Sequence, residues 1–145
     1  MLRLSGGGRQ CTRTGFAVRP AYLCLMQFDH AVILVSDLDA SLPWYAAVLA
    51  AVGFDKSRDH VWINEAHQAL ELRQAEDLDQ TYRRGGVGLN HFAVRAESHA
   101  ALDAVALAVA RAGFEVPAFQ DFGGERALFL KDRDGMRIEV VSYGG

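Results

Sequence analysis

The 145-residue chain has only two cysteines and no excess of positive charge. Both cysteines, Cys11 and Cys24, precede the first patterned segment, so neither a disulfide framework nor a cysteine zinc site can organise the fold. The formal net charge of −3 gives no basic footprint for nucleic acid. No apolar run approaches the length of about 20 residues that crosses a bilayer. We therefore expect one cytoplasmic globular domain, with neither nucleic acid nor a membrane as its partner.

Residues 1–25 differ in composition from the rest of the chain. They contain four arginines, and the first acidic residue is Asp29. Without those arginines, the remaining 11 basic and 18 acidic residues give a net charge of −7. Met26 stands just before the first predicted strand. We interpret residues 1–25 as an over-long gene start, a disordered extension or a targeting segment, and residues 26–145 as a single domain.

The pattern of residues 27–75 predicts a first module of one strand, one helix and three further strands. The first strand is predicted at 28–35, and Ser36-Asp37 supplies an N-cap for a helix that ends at Gly53. Pro43 is expected to bend this helix or weaken its start. Three short strands, separated by turns at Arg58-Asp59 and Asn64-Glu65, are predicted at 54–57, 60–63 and 69–73.

Residues 88–143 repeat this pattern as a second module. A strand at 88–95 is followed by a helix that begins after Ser98 and ends at Gly113. The polar stretch between the two modules is short. Further strands are predicted at 115–119, 127–131 and 136–143.

Two matched polar positions support the repeat. His30 and His91 lie in the first strand of their modules, and Glu71 and Glu139 lie between apolar residues in the last strands. Because side chains alternate across a strand, each glutamate faces away from its apolar neighbours. The sequence thus predicts an α+β fold of two tandem βαβββ modules. They form a curved mixed sheet with the helices on its outer face and the histidines and glutamates on the other.

Two imidazoles and two carboxylates are a ligand set suited to one divalent ion of Zn, Ni, Co, Mn or Fe. A single strand histidine is more often structural, and a single glutamate is more often solvated. Four such residues at matching places point to a metal site at His30, Glu71, His91 and Glu139. The residues predicted to contact a substrate are Arg73, Arg137, Trp62 and Tyr143.

The segments that carry these residues resemble the vicinal-oxygen-chelate superfamily, which includes glyoxalase I, fosfomycin-resistance enzymes, bleomycin-binding proteins and extradiol dioxygenases. The resemblance covers about residues 28–143. Its strongest part is the turn Asp132-Arg133-Asp134-Gly135, three residues ahead of Glu139. The other resembling segments are Phe28-Asp29-His30, Ser36-Asp37-Leu38, Leu70-Glu71-Leu72 and Leu89-Asn90-His91-Phe92.

The resemblance implies that the four predicted ligands bind the ion and that Glu139 or Glu71 moves a proton, in a glyoxalase-I-like lyase or isomerase reaction on a small molecule. It also implies a homodimer: in this family two modules build the site either within one chain or across two, and glyoxalase-like members with this ligand arrangement build it across two chains. An extradiol-type Fe(II) dioxygenase and a fosfomycin-type thiol transferase are alternatives. A protein of another class, which sequesters a small molecule or antibiotic without catalysis, is a further alternative.

Overall fold

The computed structural model describes residues 27–144, so the predictions for residues 1–25 and Met26 lie outside the described residues. The first module contains β1 (His30–Val35), α1 (Leu38–Ala51), β2 (Phe54–Arg58), β3 (Val61–Asn64) and β4 (Ala69–Gln74). The second contains β5 (Phe92–Arg95), α2 (His99–Arg111), β6 (Gln120–Asp121), β7 (Arg126–Lys131) and β8 (Arg137–Ser142).

Each module forms its own four-stranded mixed sheet. The strand orders are β1-β4-β3-β2 and β5-β8-β7-β6. The pairs β1–β4 and β5–β8 are parallel, and the remaining neighbours are antiparallel. The α+β fold of two βαβββ modules is therefore confirmed. No helix within residues 27–144 is long and apolar enough to cross a membrane.

Local capping explains where the two helices begin and end. The Asp37 side chain accepts a hydrogen bond from the Ala40 N–H at 3.0 Å, and the Ser98 hydroxyl accepts one from the Ala101 N–H at 3.1 Å. The helix α1 continues through Pro43. The glycine after each helix has a positive φ, +86° at Gly53 and +87° at Gly113.

Two predicted strands differ from the observed ones. The strand predicted at 88–95 begins only at its fifth residue, Phe92, so His91 lies directly before it, where the Asn90 backbone carbonyl accepts a hydrogen bond from the Tyr82 hydroxyl. The strand predicted at 115–119 is wrong. That segment contains Pro117, which cannot donate to a sheet, and a two-residue strand follows it instead.

One hydrophobic core joins the two modules. The helices α1 and α2 contact each other and cover one face of both sheets. In β4 and β8 the half-buried Glu71 and Glu139 each lie between two buried apolar residues, as the sequence predicts. Largest among the fully buried side chains are Tyr45, Leu49, Leu70, Leu72, Leu102, Leu128, Leu130 and Ile138.

A turn of the second module docks directly on the first. The buried Tyr45 hydroxyl donates to Oδ2 of Asp132 at 2.7 Å. The Ser36 N–H donates to Oδ2 of Asp134 at 2.8 Å, and the Ser36 hydroxyl bonds the other oxygen of that carboxylate. We call these four residues the module clamp. They fix the end of β1 and the middle of α1 against the turn that leads into β8.

The clamp depends on a buried carboxylate. Oδ1 of Asp132 accepts two backbone N–H groups of its own turn, each at 2.9 Å. Burial raises the pKa of Asp132, although its hydrogen bonds oppose that shift. Burial and the nearby Asp132 charge also raise the pKa of the Tyr45 hydroxyl, which therefore remains a donor.

Replacing Tyr45 by phenylalanine removes the donor to a buried acceptor, and we expect it to lower the free energy of unfolding by about 1–3 kcal/mol. The double variant with Asp132→Asn should lose less than the two single variants together, because both changes break the same bond. Urea denaturation measures all three proteins, with Tyr143→Phe as the matched exposed control. A Tyr45→Phe protein as stable as the control variant would contradict the clamp.

Candidate metal centre

The first predicted His–Glu pair lies on the exposed face of the first sheet. His30 pairs with Ala69 across the parallel ladder and Val32 pairs with Glu71, so His30 and Glu71 share a face. Both line a groove of about 420 Å³. The strand register thus brings together one imidazole and one carboxylate separated by 41 positions in the chain.

The second predicted pair lies at the matching place of the second sheet. Nε2 of His91 is 2.8 Å from Oε2 of Glu139. The Phe129 ring meets the His91 ring edge to face at 5.8 Å. The Glu139 carboxylate is largely shielded from water, with 14% of its side chain exposed. The two modules therefore place their histidine and glutamate side chains in the same way.

Each histidine is oriented by the residue before it. Nδ1 of His30 is 2.6 Å from Oδ2 of Asp29, and Nδ1 of His91 is 2.8 Å from Oδ1 of Asn90. An oxygen acceptor at Nδ1 is the usual arrangement around histidines that bind a metal through Nε2, which in His91 is the nitrogen that faces the Glu139 carboxylate. The sequence analysis did not assign this role to Asp29 or Asn90. Their signal is an oxygen-bearing side chain directly before the histidine in both modules.

The Glu71 carboxylate forms an ion pair with a neighbouring arginine. Nε of Arg73 donates to Oε1 of Glu71 at 2.7 Å. This hydrogen bond holds the pKa of Glu71 below its ordinary value, against a smaller opposing effect of desolvation. Arg73 therefore lies on the predicted ligand face, where its side chain binds a ligand candidate.

Two further substrate-contact predictions fall on the second sheet. Arg137 lies with its guanidinium 5.8 Å from the Phe129 ring centroid, on the strand face that carries Glu139. Tyr143 is half exposed and stacks under Arg95 at 5.2 Å. Arg137 therefore shares a strand face with Glu139, whereas Tyr143 follows the end of β8, and the contact of either side chain with a substrate stays a prediction.

The prediction for Trp62 needs correction, because this side chain does not line a groove. It is only 2% exposed and belongs to the core. Trp62 pairs with Leu70 across the ladder, so it shares the helix-covered face. The pairing of β3 with β4, which determines this face, was not fixed by the sequence pattern.

The donor types fit a divalent ion, but one chain supplies them as two separate halves. Within residues 27–144, no three histidine, cysteine, aspartate or glutamate side chains form a group able to hold an ion. Each pair offers one nitrogen and one carboxylate donor, which is half of the predicted set. We call His30 with Glu71 the first half-site and His91 with Glu139 the second half-site.

Comparison with known proteins gives one family and a common fold. Residues 27–140 match the model of the Glyoxalase/Bleomycin resistance protein/Dioxygenase superfamily. The uncharacterized protein YqjT of Bacillus subtilis (strain 168) is 28% identical over 123 residues, which cover 78% of this chain and 96% of that protein.

Solved structures with the same fold include a glyoxylase/bleomycin resistance protein/dioxygenase domain from Frankia sp. EAN1pec. It has a TM-score of 0.64 and 22% identity, and the match covers 81% of this chain and 91% of that one. Lactoylglutathione lyase from Agrobacterium tumefaciens has a TM-score of 0.55 and 21% identity, with coverage of 80% and 92%. These similarities show the fold.

We expect the neutral His30 ring to carry its proton on Nδ1, because the Asp29 carboxylate accepts from that nitrogen. Replacing Asp29 by leucine should return the proton to Nε2, the position preferred by a free imidazole. A nitrogen-resolved NMR spectrum of the ring distinguishes the two tautomers, and the exposed His67 serves as an internal control. Identical His30 spectra in the wild type and in Asp29→Leu would show that Asp29 does not orient the ring.

Proposed function

This chain belongs to the Glyoxalase/Bleomycin resistance protein/Dioxygenase superfamily, and we propose that it is a divalent-metal-dependent enzyme whose small-molecule substrate chelates the ion through two adjacent oxygens. The favoured reaction is a lyase or isomerase reaction of the glyoxalase type. The observation that carries this proposal is the presence of two half-sites with the same residue types at matching places, with His30 at the start of β1 and His91 directly before β5.

We further propose that a second copy of the chain completes the site. The half-sites lie on different sheets and do not form one group within residues 27–144. A twofold dimer that sets the first half-site of one chain against the second half-site of its partner creates two four-donor sites. This proposal accounts for four ligand-type residues that one chain does not bring together.

The two glutamates take different roles in this proposal. Arg73 lowers the pKa of Glu71, which favours a permanently ionised ligand and makes Glu71 a weak base. Glu139 has no such arginine partner within the described residues, and its carboxylate is shielded from water beside His91. Glu139 is therefore the proposed proton carrier. A bound divalent ion would supply Lewis acidity to the substrate oxygens.

A mixture of two inactive variants tests the shared site. His30→Ala damages the first half-site and Glu139→Ala the second, so each homodimer loses metal binding at both sites. After co-refolding in equal amounts, half of the dimers should be mixed and carry one intact site, which restores about a quarter of the wild-type sites. Metal content measured by mass spectrometry after gel filtration checks this result.

The same co-refolding with two variants of one half-site, His91→Ala and Glu139→Ala, is the matched control. It should restore no intact site, because every module 2 in the mixture is damaged. A monomer in light scattering would contradict the shared site, as would equal metal content in the two mixtures.

The contact between Glu71 and Arg73 favours one alternative reaction. If Glu71 stays bound to Arg73, the ion has two histidines and one carboxylate, which leaves positions for a catechol and oxygen on Fe(II). A dioxygenase is therefore the second candidate. The role of Glu71 separates the two candidates.

In the lyase or isomerase case, Glu71→Ala should weaken metal binding without abolishing it, because three ligands remain. Turnover of a hemithioacetal substrate should fall by more than the substrate affinity does. In the dioxygenase case, Fe(II)-dependent cleavage of a catechol under air should survive Glu71→Ala. Arg73→Met is the control for disturbance of the strand without removal of the carboxylate.

A further inference from the structure

A β-bulge directs Arg58 into the groove of the first half-site. Lys56 pairs with Trp62, but Arg58 pairs with Val61, so Ser57 is an extra residue in β2. Bulges of this kind turn the following side chain onto the other face of a sheet. The turn predicted at Arg58-Asp59 lies one residue later in the structure, which leaves Arg58 in the strand.

The register shows what the extra residue does. In a regular ladder Ser57 would pair with Val61, and Arg58 would lie on the helix-covered face. With the bulge, Arg58 shares the face of Val61, which in turn pairs with Glu71. Arg58 lines the same 420 Å³ groove as His30 and Glu71.

Among the described residues that line this groove, Arg58 is a cationic side chain that forms no ion pair. The two acids of the groove have other partners: Asp29 binds His30 at 2.6 Å, and Glu71 binds Arg73 at 2.7 Å. Among residues 27–144, Arg58 makes neither a hydrogen bond nor an ion pair through its side chain. It is exposed to solvent, yet its charge still acts on the Glu71 carboxylate.

We propose that Arg58 binds a carboxylate of the substrate while the other end of the same molecule lies at His30 and Glu71. A guanidinium matches the two oxygens of a carboxylate. This inference rests on the proposed function, because the chelating end of the substrate is taken from it. It assigns to Arg58 the recognition role that the sequence suggested for Arg73, which is engaged by Glu71.

Two 2-oxo acids test the assignment. Both 2-oxoglutarate and 2-oxopentanoate offer adjacent oxygens, but only the first has a distal carboxylate. Calorimetry on the Mn(II)-loaded protein should show that 2-oxoglutarate binds about tenfold or more tightly than 2-oxopentanoate. Arg58→Met should remove that difference by weakening 2-oxoglutarate alone, whereas Arg111→Met, at the exposed end of α2, should leave it unchanged.

Deletion of Ser57 is a second variant that keeps the arginine. It removes the bulge, returns Arg58 to the other face and should abolish the preference in the same way; the thermal midpoint verifies that each variant is folded. If both acids bind the wild type equally and Arg58→Met changes neither, the role of Arg58 is overturned while the proposed function stands. If neither acid binds the metal-loaded wild type, the proposed function fails and the inference fails with it.

Discussion

The arrangement of both half-sites depends on the buried carboxylate of Asp132. This carboxylate accepts hydrogen bonds from two backbone N–H groups of the turn that leads into β8 and from the Tyr45 hydroxyl of α1. Because the same turn holds Ser36 at the end of β1, the strands that carry the first histidine and the second glutamate have a fixed relation. A buried acceptor without its donors is costly, so the two modules do not slide against each other.

The side-chain faces could be predicted because strand alternation is a local property. The apolar neighbours of Glu71 and Glu139 indicate which face each glutamate occupies, and the sheets confirm it. The matching histidines follow from the repeat. The spatial relation between the two modules could not be predicted in this way, since it depends on the clamp, whose partners lie 87 and 98 positions apart in the chain.

Other residues were missed or assigned to the wrong face because their roles depend on side-chain hydrogen bonds and on strand register. Asp29 and Asn90 each bind the histidine beside them, a contact that the alternation of strand residues does not indicate and only the comparison of the two modules could have suggested. The faces of Arg58 and Trp62 depend on strand pairing: one extra residue in β2 determines the face of Arg58, and the pairing of β3 with β4 determines that of Trp62. Short hairpins tolerate shifts in strand register, so the sheet face of a side chain near a strand end is the hardest to predict.

The two modules contain the same kind of turn but close it with different side chains, so the two modules are not equivalent. Asn64 closes the turn of the first module as Asp132 closes that of the second, but its amide group donates to Gln68 and offers no second oxygen. The position of α2 that matches Tyr45 is Ala106, counted from the two N-caps. A first module therefore cannot form the clamp in the place of a second one. An exchange of halves between two chains would keep the clamp only where a first module meets a second one.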